Sequence, residues 1–330
     1  MQPLSYARAN DIESAITVVA GDPGSAFLAG GTTKVDLLRL GIEHTNRLVD
    51  INDLPLTAVE ELADGTIRIG ALARMSDVAQ TPIIKERFPA VSEALLLGAS
   101  EQLRNMASMG GNLCQRVRCT YFRDGVSPCN KRKPGTGCSA LEGLNRGHAI
   151  LGVSESCIAT HPSDVAVPFV AFDAVVHTAG LDRERTLPID EFYLLPGDTP
   201  QLEHPLAHGE LITAIDLPPS PLAARSLYRK FRDRQSYEFA LVSVCAAITV
   251  KDGVVAAARV ALGGVGTKPW RARRAEQELR GASASDESFV RAATAELSTA
   301  APRPGNAFKV ALAERAIVRG LRHSMKGQAA

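Results

Sequence analysis

The sequence predicts an α+β protein, and three observations carry that expectation. Up to about residue 180, short apolar runs alternate with amphipathic stretches, so strands and helices are mixed. Residues 181–224 are broken by Pro188, Pro196, Pro200, Pro205, Pro218, Pro219 and Pro221, which reads as a linker. Beyond it two long apolar runs meet at Lys251-Asp252-Gly253, a hairpin signal, and three helical patterns follow.

Asn10, with Glu13 three residues on, predicts a capped helix through Ile12, Ile16 and Val19 that ends near Gly21-Asp22-Pro23-Gly24. Ala26-Phe27-Leu28 reads as a short strand opening directly into Ala29-Gly30-Gly31-Thr32-Thr33-Lys34. Leu48-Val49-Asp50-Ile51 and Thr66-Ile67-Arg68-Ile69-Gly70-Ala71 read as further strands, the second alternating with period two. Helical patterns over 76–79 and 90–97 lead to a second glycine turn at Gly110. In the last hundred residues, 226–231, 242–250 and 254–262 form an expected meander, followed by helices over 271–279, 286–297 and 307–321.

Of the 330 residues 45% are hydrophobic and 22% charged, enough for two or three real cores in a soluble globular protein. A net charge of +1 gives no overall field toward nucleic acid or an anionic membrane. The longest apolar stretch, 165–172, contains Pro168 and falls well short of the roughly 20 residues that cross a bilayer, so no membrane span is expected. Met1-Gln2-Pro3-Leu4-Ser5-Tyr6 lacks the basic start and apolar run of a signal peptide, and export would depend on a partner. Five of the six cysteines lie between Cys114 and Cys157, while Cys245 sits in an apolar run and reads as a buried, inert thiol.

Gly30-Gly31-Thr32-Thr33 offers consecutive backbone N–H groups and two hydroxyls, the composition of an anion-binding nest, although a plain tight turn has the same composition. It has neither the Rossmann nor the P-loop glycine order. Ser108-Met109-Gly110-Gly111-Asn112 supplies a second set of donors, and two such loops favour a dinucleotide diphosphate held from both sides. The segments Phe27-Leu28-Ala29-Gly30-Gly31-Thr32-Thr33-Lys34-Val35-Asp36-Leu37, Ala107-Ser108-Met109-Gly110-Gly111-Asn112-Leu113 and Thr160-His161-Pro162-Ser163-Asp164 resemble the three FAD-contacting segments of flavoprotein subunits in the molybdenum hydroxylase family. That family includes xanthine dehydrogenase, carbon monoxide dehydrogenase and bacterial aldehyde oxidoreductases.

The resemblance spans nearly the whole chain. It implies an FAD-binding fold of the vanillyl-alcohol-oxidase type with subdomains 1–55 and 56–180, the linker 181–224, and a C-terminal flavoprotein domain 225–330 of antiparallel sheet with helices. By position, it places Ala26, Phe27, Leu28, Ala29, Gly30, Gly31, Thr32, Thr33 and Lys34 along the FAD diphosphate, with Ser108, Gly111 and Asn112 opposite. Asp164 would hold a ribose or phosphate-side hydroxyl, and Lys230 would approach the flavin from the C-terminal domain, unless it is a solvated lysine on a strand edge. Glu238 lies near where the ring would face, as a structural or tuning group.

Between the second and third segments stand about fifty residues that most relatives lack, and they carry the cysteines. The insert, about 114–157, is most similar to one in the flavoprotein subunit of periplasmic-type aldehyde oxidoreductases that holds a [4Fe–4S] cluster; 4-hydroxybenzoyl-CoA reductase has an insert of related purpose. Four thiolates are the usual ligands of such a cluster, and Pro128, Pro134, Gly135 and Gly137 let the chain turn around a compact object. Structural zinc, the alternative, more often uses two close cysteine pairs. Cys119, Cys129, Cys138 and Cys157 are the expected ligands; Cys114 follows the flavin turn at a position where the resemblance accepts apolar residues. Arg116, Arg118, Arg123, Lys131, Arg132, Lys133 and Arg146 make the insert basic, either to stabilise a reduced cluster or as a solvated loop facing an acidic partner. His148, His161 and His177 are scattered, and nothing orients His148 with Cys138 as a catalytic pair.

The implied function is that of an FAD and iron–sulfur subunit of a molybdenum-dependent aldehyde oxidoreductase. A large molybdopterin-binding subunit would oxidise the substrate, a small [2Fe–2S] subunit would deliver electrons, and FAD would pass them to an external acceptor. The alternatives are the flavin subunit of a xanthine dehydrogenase or 4-hydroxybenzoyl-CoA reductase type of enzyme, or a zinc-stabilised subunit without catalytic function. The implied location is periplasmic by co-export with a partner, or else cytoplasmic.

Overall fold

Three sheets organise the chain, which is a computed structural model describing residues 3–326. The first is parallel and small: β1 (Ser5–Arg8), β2 (Ser25–Leu28) and β3 (Arg47–Asp50), in the order β1-β3-β2. The helix Ile12–Ala20 crosses from β1 to β2 and buries Ala15, Ile16 and Val19 against Val49, Ile51 and Leu54. Its cap is Asp11, one residue later than expected. Asp11 accepts from the Ser14 N–H at 2.7 Å and Ser14 Oγ accepts from the Asp11 N–H at 3.3 Å, so the short hydroxyl of Ser14 takes the part expected of Glu13.

The second sheet is antiparallel: β4 (Val59–Glu61), β5 (Ile67–Gly70), β6 (Val175–Ala179), β7 (Glu184–Pro188) and β8 (Leu211–Leu217), ordered β4-β5-β8-β6-β7. Helices Pro89–Leu97 and Ala166–Ala171 cover its apolar face, where Ile67, Ile69, Ile215 and Leu217 meet Val91, Leu95, Phe169 and Val170. Two of these strands come from 181–224, the expected linker. The prolines there do not break them, because Pro188 ends an edge strand and Pro196, Pro200 and Pro205 lie in the connection between β7 and β8.

The third sheet is the expected meander, β9 (Leu227–Phe231), β10 (Val242–Lys251), β11 (Val254–Gly263) and the short β12 (Trp270–Arg271), in the order β12-β11-β10-β9. Asp252 and Gly253 both have positive φ, +50° and +75°, the twist that a two-residue hairpin requires. On β10, Val244, Ala246 and Ile248 face helices Arg273–Leu279, Asp286–Leu297 and Phe308–Lys326, while Cys245 and Ala247 join the core of the second sheet. Burial on both faces explains why 242–248 reads as an apolar run without alternation. Among the described residues no helix is long and apolar enough to cross a membrane.

Candidate functional site

The end of β2 and the turn after it form one side of a two-lobed cleft. In the first lobe, of about 420 Å³, Ala26, Phe27, Ala29, Gly30, Gly31, Thr32, Thr33 and Lys34 face Ser108, Gly110 and Gly111. The second lobe, of about 220 Å³, shares Thr32, Thr33 and Gly111 and continues past Asn112 to Asp164, Lys230 and Glu238. Of the residues expected at the cofactor, Leu28 lines neither lobe; it packs beneath the turn, 3.4 Å from where a Gly31 Cβ would stand.

The two glycine turns meet backbone to backbone. A Cβ on Gly30 would fall 1.9 Å from the Met106 carbonyl oxygen, so no larger residue fits without moving main chain, and Gly31 has φ +71°. The third segment is tied to the second: Asn112 Oδ1 accepts from Ser163 Oγ at 2.6 Å. Next to it, Asp164 accepts from Tyr228 Oη at 2.6 Å and from Lys230 Nζ at 2.7 Å, and Nζ also donates to the Leu97 carbonyl at 3.0 Å. The Lys230 side chain is only 1% exposed, so it is not the solvated edge lysine. Burial pushes the Asp164 carboxyl up, opposed by Lys230 and Tyr228.

The chain leaving the second glycine turn separates this cleft from another site. Cys114 and Arg116 line the first lobe, Gln115 and Arg118 the second, and Val117 and Cys119 a small separate pocket. That pocket is lined by all four expected cysteines, Cys119, Cys129, Cys138 and Cys157, and its free volume is only about 10 Å³. Cys114 stands apart from it in the first lobe of the cleft, where burial pushes its thiol up to about 12. Cys245, on β10, points into the core of the second sheet, fully buried, with its thiol pushed well up.

The pocket is built by a tight loop. Cys129 and Cys138 pair as an antiparallel bridge, closed by Asn130 N–H to the Gly137 carbonyl at 2.7 Å, and Gly135 and Gly137 take positive φ, +83° and +95°. Arg132 donates to the carbonyls of Tyr121 and Phe122, both at 2.8 Å, which fixes the turn after Cys119. Burial pushes the Cys119 thiol up to about 12 and Cys157 to about 11, so these sulfurs ionise at neutral pH only when a cationic centre stabilises the thiolate. Among the described residues no three His, Cys, Asp or Glu side chains converge as a single metal ion would require.

The insert's basic residues are mostly paired within the chain. Arg118 and Arg123 bind Asp36, Arg146 binds Asp233 at 2.7 Å, and Lys131 binds Glu203 at 3.0 Å. Arg116 bridges Glu203 to Glu43, which in turn holds Lys34 at 2.6 Å. This run of ion pairs extends from the cysteine pocket to the first lobe of the cleft. Sequence reading missed that Arg116 and Arg118 face the cleft, and that residues 206–212 line its first lobe. For the latter the signal was Leu211-Ile212-Thr213-Ala214-Ile215-Asp216-Leu217, a strand-like run free of proline. His148 lies against Cys119, not Cys138, with Nε2 3.2 Å from Sγ, and His177 belongs to the second sheet, on Asp216.

Residues 2–220 match the family described as the FAD binding domain in molybdopterin dehydrogenase, and residues 226–324 the CO dehydrogenase flavoprotein C-terminal domain. The chain is similar to the aldehyde oxidoreductase FAD-binding subunit PaoB of Escherichia coli, with 47% identity over 96% of each chain. It is also similar to the carbon monoxide dehydrogenase medium chain of Hydrogenophaga pseudoflava, 26% identical over 89% of this chain and 87% of that one. Among solved structures, quinoline 2-oxidoreductase from Pseudomonas putida 86 has the same fold, with a TM-score of 0.77 at 20% identity, covering 99% of this chain and 98% of that one. The cleft fits the cofactor of this family, since facing glycine turns, Arg116 and Arg118 supply the donors and cations that a diphosphate needs. With the family match running through both halves of the fold, the chain belongs to the FAD-binding medium subunits of the molybdenum hydroxylase family.

Proposed function

We propose that this chain is the FAD- and [4Fe–4S]-carrying relay subunit of a molybdenum-dependent aldehyde oxidoreductase. The reading is supported by the 47% identity to an aldehyde oxidoreductase subunit and by one observation above others: four cysteines of the insert line a single pocket, and the strip 114–119 lies between it and the cleft, turning some of its residues to each. Substrate oxidation belongs to a large molybdopterin subunit, and a small [2Fe–2S] subunit feeds electrons to this one. FAD, when bound, supplies the exchange between single-electron carriers and an external acceptor.

The protein's own residues hold and bias these groups. Gly30, Gly31, Ser108 and Gly111 bring backbone donors to the diphosphate, Lys34, Arg116 and Arg118 bring charge, and Lys230, anchored by Asp164, presents a buried cation at the second lobe. Cys119, Cys129, Cys138 and Cys157 are the cluster ligands in this reading. Four cysteines lining one pocket match the usual ligand set of such a cluster, and Lys131 beside Cys157 favours its reduced form. Export to the periplasm, folded with a partner that bears the leader, is part of the same reading and rests on the resemblance to periplasmic-type enzymes.

Anaerobic purification of the intact complex tests it. Flavin absorption bands, together with about four iron and four sulfide per copy of this chain, are expected for a cubane cluster. The C129A variant should lose this iron and sulfide while FAD stays bound. Zinc in place of iron, with no sulfide, would overturn the cluster, and activity confined to purines would overturn the aldehyde assignment.

A further inference from the structure

One buried polar group lies against a cysteine of the pocket. His148 is 7% exposed, and its Nε2 lies 3.2 Å from Cys119 Sγ. The other ring nitrogen, Nδ1, is buried with no hydrogen-bond partner among the described residues. The backbone that carries the ring is fixed by residues at the start of the C-terminal helix: Lys309 Nζ donates to the His148 carbonyl at 2.9 Å and Asn306 Nδ2 at 3.3 Å, and Lys309 also donates to the carbonyls of Gly147 and Gly264. Tyr121 flanks the ring, 6.5 Å between centroids.

The tautomer follows from these contacts. A proton on Nδ1 would create a buried N–H with nothing to receive it and would set the bare Nε2 lone pair against the sulfur lone pairs. A proton on Nε2 meets an acceptor and leaves only a lone pair on Nδ1. Resting on the cluster reading above, we infer that His148 is a positioning residue for the iron–sulfur centre, its Nε2–H donating to the Cys119 thiolate and thereby raising the cluster's reduction potential. Hydrogen bonds to cluster sulfurs act in this direction because reduction adds negative charge that spreads onto the thiolates, and a fixed donor stabilises that charge. The imidazole contributes the dipole without being a ligand, so ligand count and cluster charge stay those of four cysteines.

The test is an EPR-monitored redox titration of the holo complex carrying H148L or H148Q, with iron and sulfide counted in each. H148L is expected to keep its iron and titrate lower, with the oxidised-to-reduced ratio at a fixed potential raised about tenfold, which for one electron corresponds to about 59 mV. H148Q restores an N–H donor and is expected to recover most of the wild-type midpoint, which a role in packing alone would not produce. If H148L loses its cluster through misfolding, H148Q still decides: an iron-replete H148Q with a near wild-type midpoint supports the inference, whereas a folded H148Q with fewer than four iron and an altered EPR line shape would make His148 a ligand and overturn it. An unchanged midpoint in an iron-replete H148L would overturn it as well. Wild-type complex without iron and sulfide would instead overturn the proposed function, so the two failures are distinct.

Discussion

At the scale of single residues, the cleft depends on absent side chains as much as on present ones. Gly30 lets one turn touch the Met106 carbonyl of the other, and the clash that a Cβ would make is with backbone, which cannot swing aside. Gly30→Ala is therefore expected to cost about 1–3 kcal/mol of stability by overpacking and to spread the two turns that face the diphosphate. Flavin absorbance of the purified complex and a thermal melt check both effects, and a variant with full flavin content and an unshifted melt would contradict the close approach. Such glycines are legible in sequence, since two donor-rich turns in one domain already point to a phosphate ligand. The side chains of Arg116 and Arg118 are not legible in the same way. Their neighbours Val117 and Cys119 point to a different site, and which side of that strip faces which pocket is decided by tertiary packing.

At the scale of elements, β8 is the instructive strand, because it sits at the centre of the second sheet yet lies in the segment that sequence reading assigns to a linker. Proline density misled there. A proline excludes a strand interior only at its own position, and the seven residues of β8 contain none. What fixes β8 between β5 and β6 is partly polar: Asp216 accepts from Arg68 Nε at 2.8 Å and lies 2.7 Å from His177 Nε2. Burial would push the Asp216 carboxyl up, but the hydrogen bonds from Arg68 and His177 outweigh it and hold the group below its usual value. A native value below the unfolded one, about 3.9, means that the native state binds fewer protons there, so the stabilisation is present above about pH 4 and is lost as pH falls through the lowered value. Asp216→Asn should destabilise by about 1–3 kcal/mol at neutral pH, an amount kept modest because Arg68 is 36% exposed. Denaturant titrations at pH 7 and pH 3.5 should show the gap between wild type and variant narrowing at the lower pH. A gap that widened would contradict the sign.

At the scale of the whole molecule, the two family domains share cores instead of meeting at a thin seam. Cys245 and Ala247 of β10 pack into the core of the second sheet, while Ile150 and Leu151 of the first domain pack into the core of the third. Polar ties cross the same junction: Lys230 to Asp164, and Arg271, whose side chain is 2% exposed, to the Val170 carbonyl at 2.8 Å and Asp173 at 3.0 Å. Separating the domains would uncover the face of β10 that carries Cys245 and Ala247 and would break the buried Lys230–Asp164 pair. Each part keeps most of its own core, yet the junction between them is apolar and ion-paired on both sides, whatever the proline-rich tract between them suggests. The flavin-loaded chain is accordingly expected to unfold as one cooperative unit, with a single calorimetric peak and a calorimetric enthalpy matching the van't Hoff value. Two resolved peaks, one following flavin release and the other near-ultraviolet signal from Trp270, would show that the C-terminal sheet stands alone and that its contacts with the flavin domain contribute little.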